Sequence, residues 1–224
     1  AAKTASGLAS KVITPGSGTT HPAPGDLITM HYSGWTTDGK MFDSSHTANK
    51  TATFRLSRSI AGLVEGVQLM VAGETRRLWI PEALASRGLR DPKGMLVFDV
   101  ELVSFVSTPP DVSGPPADVQ KTASGLSYRV MRAGTSARHP QASSRVTVNY
   151  SGWTTDGQMF DTSEGRGQPA TFGLGDVIPG WTEGLQLMVV GEKTRFWIPE
   201  NLAYQGKSDP RGMLVFDVEL LAIE

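Results

Sequence analysis

Tyr150-Ser151-Gly152-Trp153-Thr154-Thr155-Asp156-Gly157 repeats, residue for residue, Tyr32-Ser33-Gly34-Trp35-Thr36-Thr37-Asp38-Gly39. The offset is 118 residues (150 less 32), and it holds without a gap on both sides of the motif. It carries residues 3–8 onto 121–126 and residues 94–102 onto 212–220 with no change. Such a period is far longer than the roughly 20–50 residues of a solenoid or propeller repeat. A unit of about 105 residues buries a core of its own. The chain therefore reads as two tandem domains, 1–106 and 120–224, with a connecting segment at 107–119.

That connecting segment holds four prolines and a glycine without periodicity. Proline favours extended polyproline II geometry, about 3.1 Å per residue. The expectation is a partly stiff, extended linker that spaces two independently moving domains.

Charge is nearly balanced, 21 Lys and Arg against 22 Asp and Glu, so no long-range field marks a nucleic-acid partner. No apolar run approaches 18 residues, so no membrane-spanning helix is expected. Without cysteine there is no disulfide, thiol nucleophile or thiolate metal site. The opening Ala1-Ala2-Lys3 leans toward an exported or periplasmic protein rather than a cytoplasmic one.

Most local signals are strand signals. Val146, Val148 and Tyr150 alternate with Thr147 and Asn149; Leu214, Phe216, Val218 and Leu220 alternate with Val215, Asp217 and Glu219. Each pattern places one row on a buried face. Residues 194–198 form a third strand stopped by Pro199, and 155–157 a turn. One segment differs: Trp181, Leu185 and Met188 fall at i, i+4, i+7, the stripe of a helix with Pro179 in its first turn. Leu63, Val67 and Met70 repeat it. Gly184 weakens so short a helix, so packing must hold it. Each domain is expected to be α+β, an antiparallel sheet carrying one short helix.

The usual catalytic constellations are missing from the sequence pattern. His21, His31, His46 and His139 show no metal-ligand spacing and read as solvated loop residues. No histidine stands in both copies where it would activate a serine. Gly173-Leu174-Gly175 lacks the lysine of a phosphate loop. Neither metal nor cofactor is expected. What remains is a set of aromatic residues, Tyr150, Phe160, Trp181, Tyr204 and Phe216, with Asp161 beside Phe160. Aromatic residues taken singly are mostly core.

Together, however, Val148-Asn149-Tyr150-Ser151-Gly152, Asp156-Gly157-Gln158-Met159-Phe160-Asp161, Val177-Ile178-Pro179-Gly180-Trp181, Ile198-Pro199-Glu200-Asn201-Leu202-Ala203-Tyr204 and Leu214-Val215-Phe216-Asp217-Val218 form a recognisable series. In order and spacing it resembles the FKBP-type peptidyl-prolyl cis-trans isomerases over nearly all of 121–224. The first copy follows the same frame over about 3–106. The resemblance implies two FKBP-like domains, each a five- to six-stranded antiparallel sheet curled around the short helix, with an apolar pocket between them. It implies Trp181 as the pocket floor, with Tyr150, Phe160, Val177, Ile178 and Phe216 as walls. It implies Tyr204 as donor to a substrate carbonyl and Asp161 as the polar rim residue. The partners implied are proline-containing polypeptides. The activity implied is isomerisation assisting folding, with chain-holding, chaperone-like binding in both grooves as the alternative. A monomer is expected.

The second copy is matched in the first by Tyr32, Phe42, Asp43, Ile60 and Phe98. Three positions change: Leu63 for Trp181, Ser59 for Val177 and Ser86 for Tyr204. The first pocket thus reads as degraded and the second as catalytic. Ala52 and Ala170 stand where many family members carry a pocket Phe, and the loop 205–212 is short. Both features imply a more open site and weak binding of macrolide inhibitors. Trp35, Trp153, Trp79 and Trp197 occur in both copies, as structural anchors or as an exposed peptide-binding surface.

Overall fold

The computed structural model describes residues 1–47 and 49–224, the side chain of Arg166 aside. It divides into two compact units, Ala1–Ser107 and Thr108–Glu224.

In the first unit the strands are β1 (Ala2–Lys3), β2 (Ala9–Thr14), β3 (Leu27–Thr36), β4 (Met41–Ser44) and β5 (Ala52–Arg55). Helix α1 (Ala61–Gln68), β6 (Thr75–Ile80) and β7 (Leu96–Val106) follow. The second unit repeats them as β8 (Gln120–Lys121), β9 (Ser127–Arg132), β10 (Arg145–Thr154), β11 (Met159–Thr162) and β12 (Ala170–Gly173). It ends with α2 (Pro179–Leu187), β13 (Lys193–Ile198) and β14 (Leu214–Ile223). Each sheet is antiparallel, and the first runs β1-β2-β6-β7-β3-β4 with β5 also pairing β3. The count is seven strands rather than five or six, because the two-residue β1 and β8 pair at the edge.

Alternation in β10 and β14 does what the sequence pattern requires on one face. Val146, Val148, Leu214, Phe216, Val218 and Leu220 join Trp181, Leu185 and Met188 of the helical segment in one core. The helix sits close enough to require its glycines. A Cβ on Gly180 would lie 2.4 Å from Ile198 and one on Gly184 2.7 Å from Phe196, both on β13. Glycine's unfavourable helix propensity, about 1 kcal/mol against alanine, is outweighed by this close contact.

The other face departs from expectation. Val215, in the row opposite the core face, is 0% exposed, and so are Trp153 and Trp197. The proline-rich segment packs on this face: Trp197 Nε1 donates to Asp111 C=O, and Arg129, bonded to Asp111, lies over the Trp197 ring. That segment is not a free extended spacer: Val112 N–H donates to Pro109 C=O in a turn, and both residues are buried.

Candidate functional site

Between α2 and the concave face of the second sheet lies a pocket of about 270 Å³. All eight residues named from the sequence line it: Tyr150 (β10), Phe160 and Asp161 (β11), Val177, Ile178, Trp181 (α2), Tyr204 and Phe216 (β14). The floor is an edge-packed aromatic cluster. Trp181 meets Tyr150 at 5.1 Å and 88°, and Phe216 at 5.2 Å and 87°; Phe160 meets Phe216 at 5.5 Å and 85°. Edge-to-face contacts of this kind add about 0.5–1.5 kcal/mol each beyond burial and lock the ring orientations. Gly152 makes the approach possible, since a Cβ there would stand 2.5 Å from the Phe216 ring.

Two polar groups mark the rim. Tyr150 donates its phenol proton to Asp161 Oδ2 at 2.5 Å. The Tyr204 hydroxyl has no acceptor among the described residues. Burial, and secondarily the charge of Asp161, raise its pKa above the ordinary tyrosine value. It stays a protonated donor facing the pocket. Trp181 Nε1 is buried and likewise has no acceptor among the described residues.

Two lining residues escaped the sequence reading. Phe172 packs on Trp181 at 5.2 Å, and Asp176 stands at the rim. Phe172 adds an aromatic wall next to the position of Ala170. On strand β12, residues two apart share a face, so the aromatic ring comes from the residue two positions later. Phe54 does the same in the first copy. The strand's alternation held this signal.

The first unit has its own pocket, about 350 Å³, lined by all eight equivalents: Tyr32, Phe42, Asp43, Ser59, Ile60, Leu63, Ser86 and Phe98. Tyr32 donates to Asp43 Oδ2 at 2.7 Å; burial and then this bond push the phenol up to about 12. Where Trp181 forms the second floor, Leu63 stands in the first, and the buried Met30 and Leu96 also line this cavity. Ser86 Oγ donates to Arg90 C=O at 2.8 Å within its own loop. Arg58 lines this pocket at the position of Asp176, reversing a rim charge.

The histidines need one correction. His31 lies on β3 and stacks on His46 at 4.7 Å and 13°, so these two are partners rather than separate loop residues. Among the described residues no group of three or more His, Asp or Glu is arranged to hold a metal. Likewise among them, no helix is long and apolar enough to cross a membrane.

The family model of the FKBP-type peptidyl-prolyl cis-trans isomerases matches this chain twice, at residues 18–103 and 136–221. The chain belongs to that family. It is similar to the FKBP-type peptidyl-prolyl cis-trans isomerase FkpA of Aeromonas hydrophila, 54% identical over 110 residues, covering 47% of this chain and 41% of that protein. The FKBP-type 22 kDa peptidyl-prolyl cis-trans isomerase of Escherichia coli is 46% identical over 110 residues, covering 47% of this chain and 53% of that one. The crystal structure of FkpA from Escherichia coli, 43% identical, overlaps 49% of this chain and 53% of its own with a TM-score of 0.46. This chain thus spans about half the length, or less, of these curated relatives.

Proposed function

We propose that the chain is a peptidyl-prolyl cis-trans isomerase assisting the folding of proline-containing polypeptides, and that turnover resides in the pocket of the second unit. The observation that carries this is the closed aromatic floor around Trp181 with the unengaged Tyr204 phenol at its rim. Rotation about an Xaa-Pro bond faces a barrier of about 18–20 kcal/mol set by amide resonance. No bond is made or broken. The twisted amide has lost resonance and much of its charge separation, so an apolar cavity accommodates it better than the planar ground state. That is preferential binding of the transition state. The proline ring fills the floor while Tyr204 donates to a neighbouring carbonyl and sets the orientation. No acid–base pair is required.

In this reading the first pocket holds chain without turning it over. Ser86 supports that role: its hydroxyl is already bonded to Arg90 and is too short to reach a substrate. The test uses the full-length chain with Trp181→Leu and Tyr204→Ser, which write the first pocket into the second. Turnover of a chromogenic Xaa-Pro peptide is expected to collapse while suppression of aggregation of an unfolded protein persists. Unchanged turnover would place catalysis elsewhere.

A further inference from the structure

Each sheet carries, on the face away from its pocket, a row of three residues across adjacent strands. In the second unit it is Trp153, Val215 and Trp197, directly paired in register. In the first it is Trp35, Val97 and Trp79, paired the same way. Beside each row an arginine forks onto an aspartate through Nε and Nη2, Arg195 on Asp217 and Arg77 on Asp99.

In the second unit this face is occupied by the chain's own segment 108–118. Thr108 Oγ1 donates to Gly157 C=O at 3.1 Å. Arg195 uses its remaining nitrogen, Nη1, to hold Asp111 Oδ1 at 2.5 Å. Trp197 Nε1 donates to Asp111 C=O at 2.9 Å. Val112 lies near the turn at Gly157, which Thr108 and Val112 overhang. The result is a sealed row and an Arg195 side chain only 10% exposed.

In the first unit the Trp-Val-Trp row and its Arg–Asp fork recur, Lys11 stands where Arg129 holds Asp111, and no described residue of that unit straps the row. Arg77 is 43% exposed, and around Gly39 a Cβ would meet nothing within 4 Å. Trp35, Thr36, Gly39, Arg77, Trp79 and Val97 line a groove of about 300 Å³. Among the described residues, Arg77 Nη1 and Trp79 Nε1 have no acceptor.

We propose that this groove is a second peptide-binding site, distinct from the isomerase pocket, and that it takes a Pro-Pro-Asp-Val-type turn segment of a separate polypeptide. The segment's carboxylate meets Arg77 Nη1, its aspartate carbonyl accepts from Trp79 Nε1, and its branched apolar residue sits against the turn at Gly39. The occupant's chemistry is given by the strap already seated on Arg195, Trp197 and the turn at Gly157, the counterparts of Arg77, Trp79 and Gly39, with Lys11 in place of the further cation Arg129. A separate polypeptide is favoured over the chain's own strap because withdrawing that strap uncovers Trp153, Trp197 and Val215 and takes Asp111 away from Arg195 and Arg129.

The test is titration of the full chain with a synthetic peptide of residues 108–116, followed by fluorescence anisotropy and by the indole N–H resonances. Saturable binding is expected, with Trp35 and Trp79 resonances moving while those of Trp153 and Trp197 stay. Asp111→Asn in the peptide, and Arg77→Ala in the protein, are each expected to weaken binding at least tenfold. Trp79→Phe keeps the ring, removes the donor and is expected to weaken binding as well; melting curves verify that both protein variants fold. No saturable binding, binding indifferent to Arg77 and Trp79, or movement confined to Trp153 and Trp197 would each overturn the site. Concentration-dependent dimerisation of the chain without binding of the peptide would overturn the choice of a separate polypeptide.

Discussion

The two units differ in opposite ways at their two faces. At the pockets the frame is common and three side chains differ: Trp181 against Leu63, Val177 against Ser59 and Tyr204 against Ser86. On the opposite face the Trp-Val-Trp row and its Arg–Asp fork are common and the surroundings differ, a strap held by Arg129 in one unit and Lys11 at that position in the other. Trp153, Val215 and Trp197 are sealed at 0% exposure by the strap, while Trp35, Val97 and Trp79 are half-buried. A duplicated domain thus changes its chemistry by substitution on one side. On the other it changes a surface with the Trp-Val-Trp row left as it was, through what the chain lays over it.

The largest effect is expected at the second pocket. Trp181→Leu with Tyr204→Ser should lower kcat/KM on an Xaa-Pro peptide by about 100-fold, near 3 kcal/mol of transition-state binding. A loss below about threefold would erase the distinction between the pockets. Next comes the arginine pair. Arg195→Ala leaves Asp217 and Asp111, both largely buried, without their shared cation, and should destabilise the second unit by about 3 kcal/mol. Arg77→Ala, in solvent, should cost the first unit under about 1 kcal/mol. Hydrogen exchange read separately on β14 and β7 measures both, and equal costs would mean the strap contributes nothing to Arg195.

Writing the second pocket into the first should give a smaller change. Leu63→Trp, Ser59→Val and Ser86→Tyr, placed in the Trp181→Leu/Tyr204→Ser background, are expected to restore about tenfold in turnover. Full recovery is not expected, because Arg58 at the rim and the Ser86 loop, with its hydroxyl tied to Arg90, were shaped around other residues.

The smallest effect is a pH dependence. Tyr32 titrates at about 12 in the folded first unit, against about 10 for a free phenol. A raised folded pKa means the protonated form is favoured by folding. Its stabilising contribution is therefore complete below about pH 10 and is lost as pH rises through about 12. Tyr32→Phe should flatten the alkaline fall in first-unit stability over that interval, as followed by denaturant melts.

Much of this was legible in the chain. Period-2 alternation in β10 and β14 and the i, i+4, i+7 stripe of α2 report burial on one side of an element, and that burial is what the core realises. The eight pocket residues were readable from the family's motif order, because the motifs lie within β10 and β11, at the start of α2 and β14 and just after β13, the elements that border the pocket. Phe172 lies outside the motif series, two residues after Ala170 on the same strand face, so only the alternation of β12 points to it. The burial of Val215 was not legible, because alternation describes only a residue's own sheet and says nothing about a strap crossing the other side. The proline-rich segment was read as a spacer from composition. Composition has no access to Arg195 and Trp197, which are 84 and 86 residues away from Asp111 in the chain.

The sequence alone determined the duplication, the α+β unit and the identities on which the two pockets differ. All of these depend on local periodicity or on one residue matched with another at a constant offset. Only tertiary structure decided that one Trp-Val-Trp row is sealed and its twin open. The physical reason is that burial is a property of what lies above a residue. A carboxylate and a carbonyl brought from far along the chain can satisfy Arg195 and Trp197, while Arg77 and Trp79, the same residue types on the same strand positions, still face solvent.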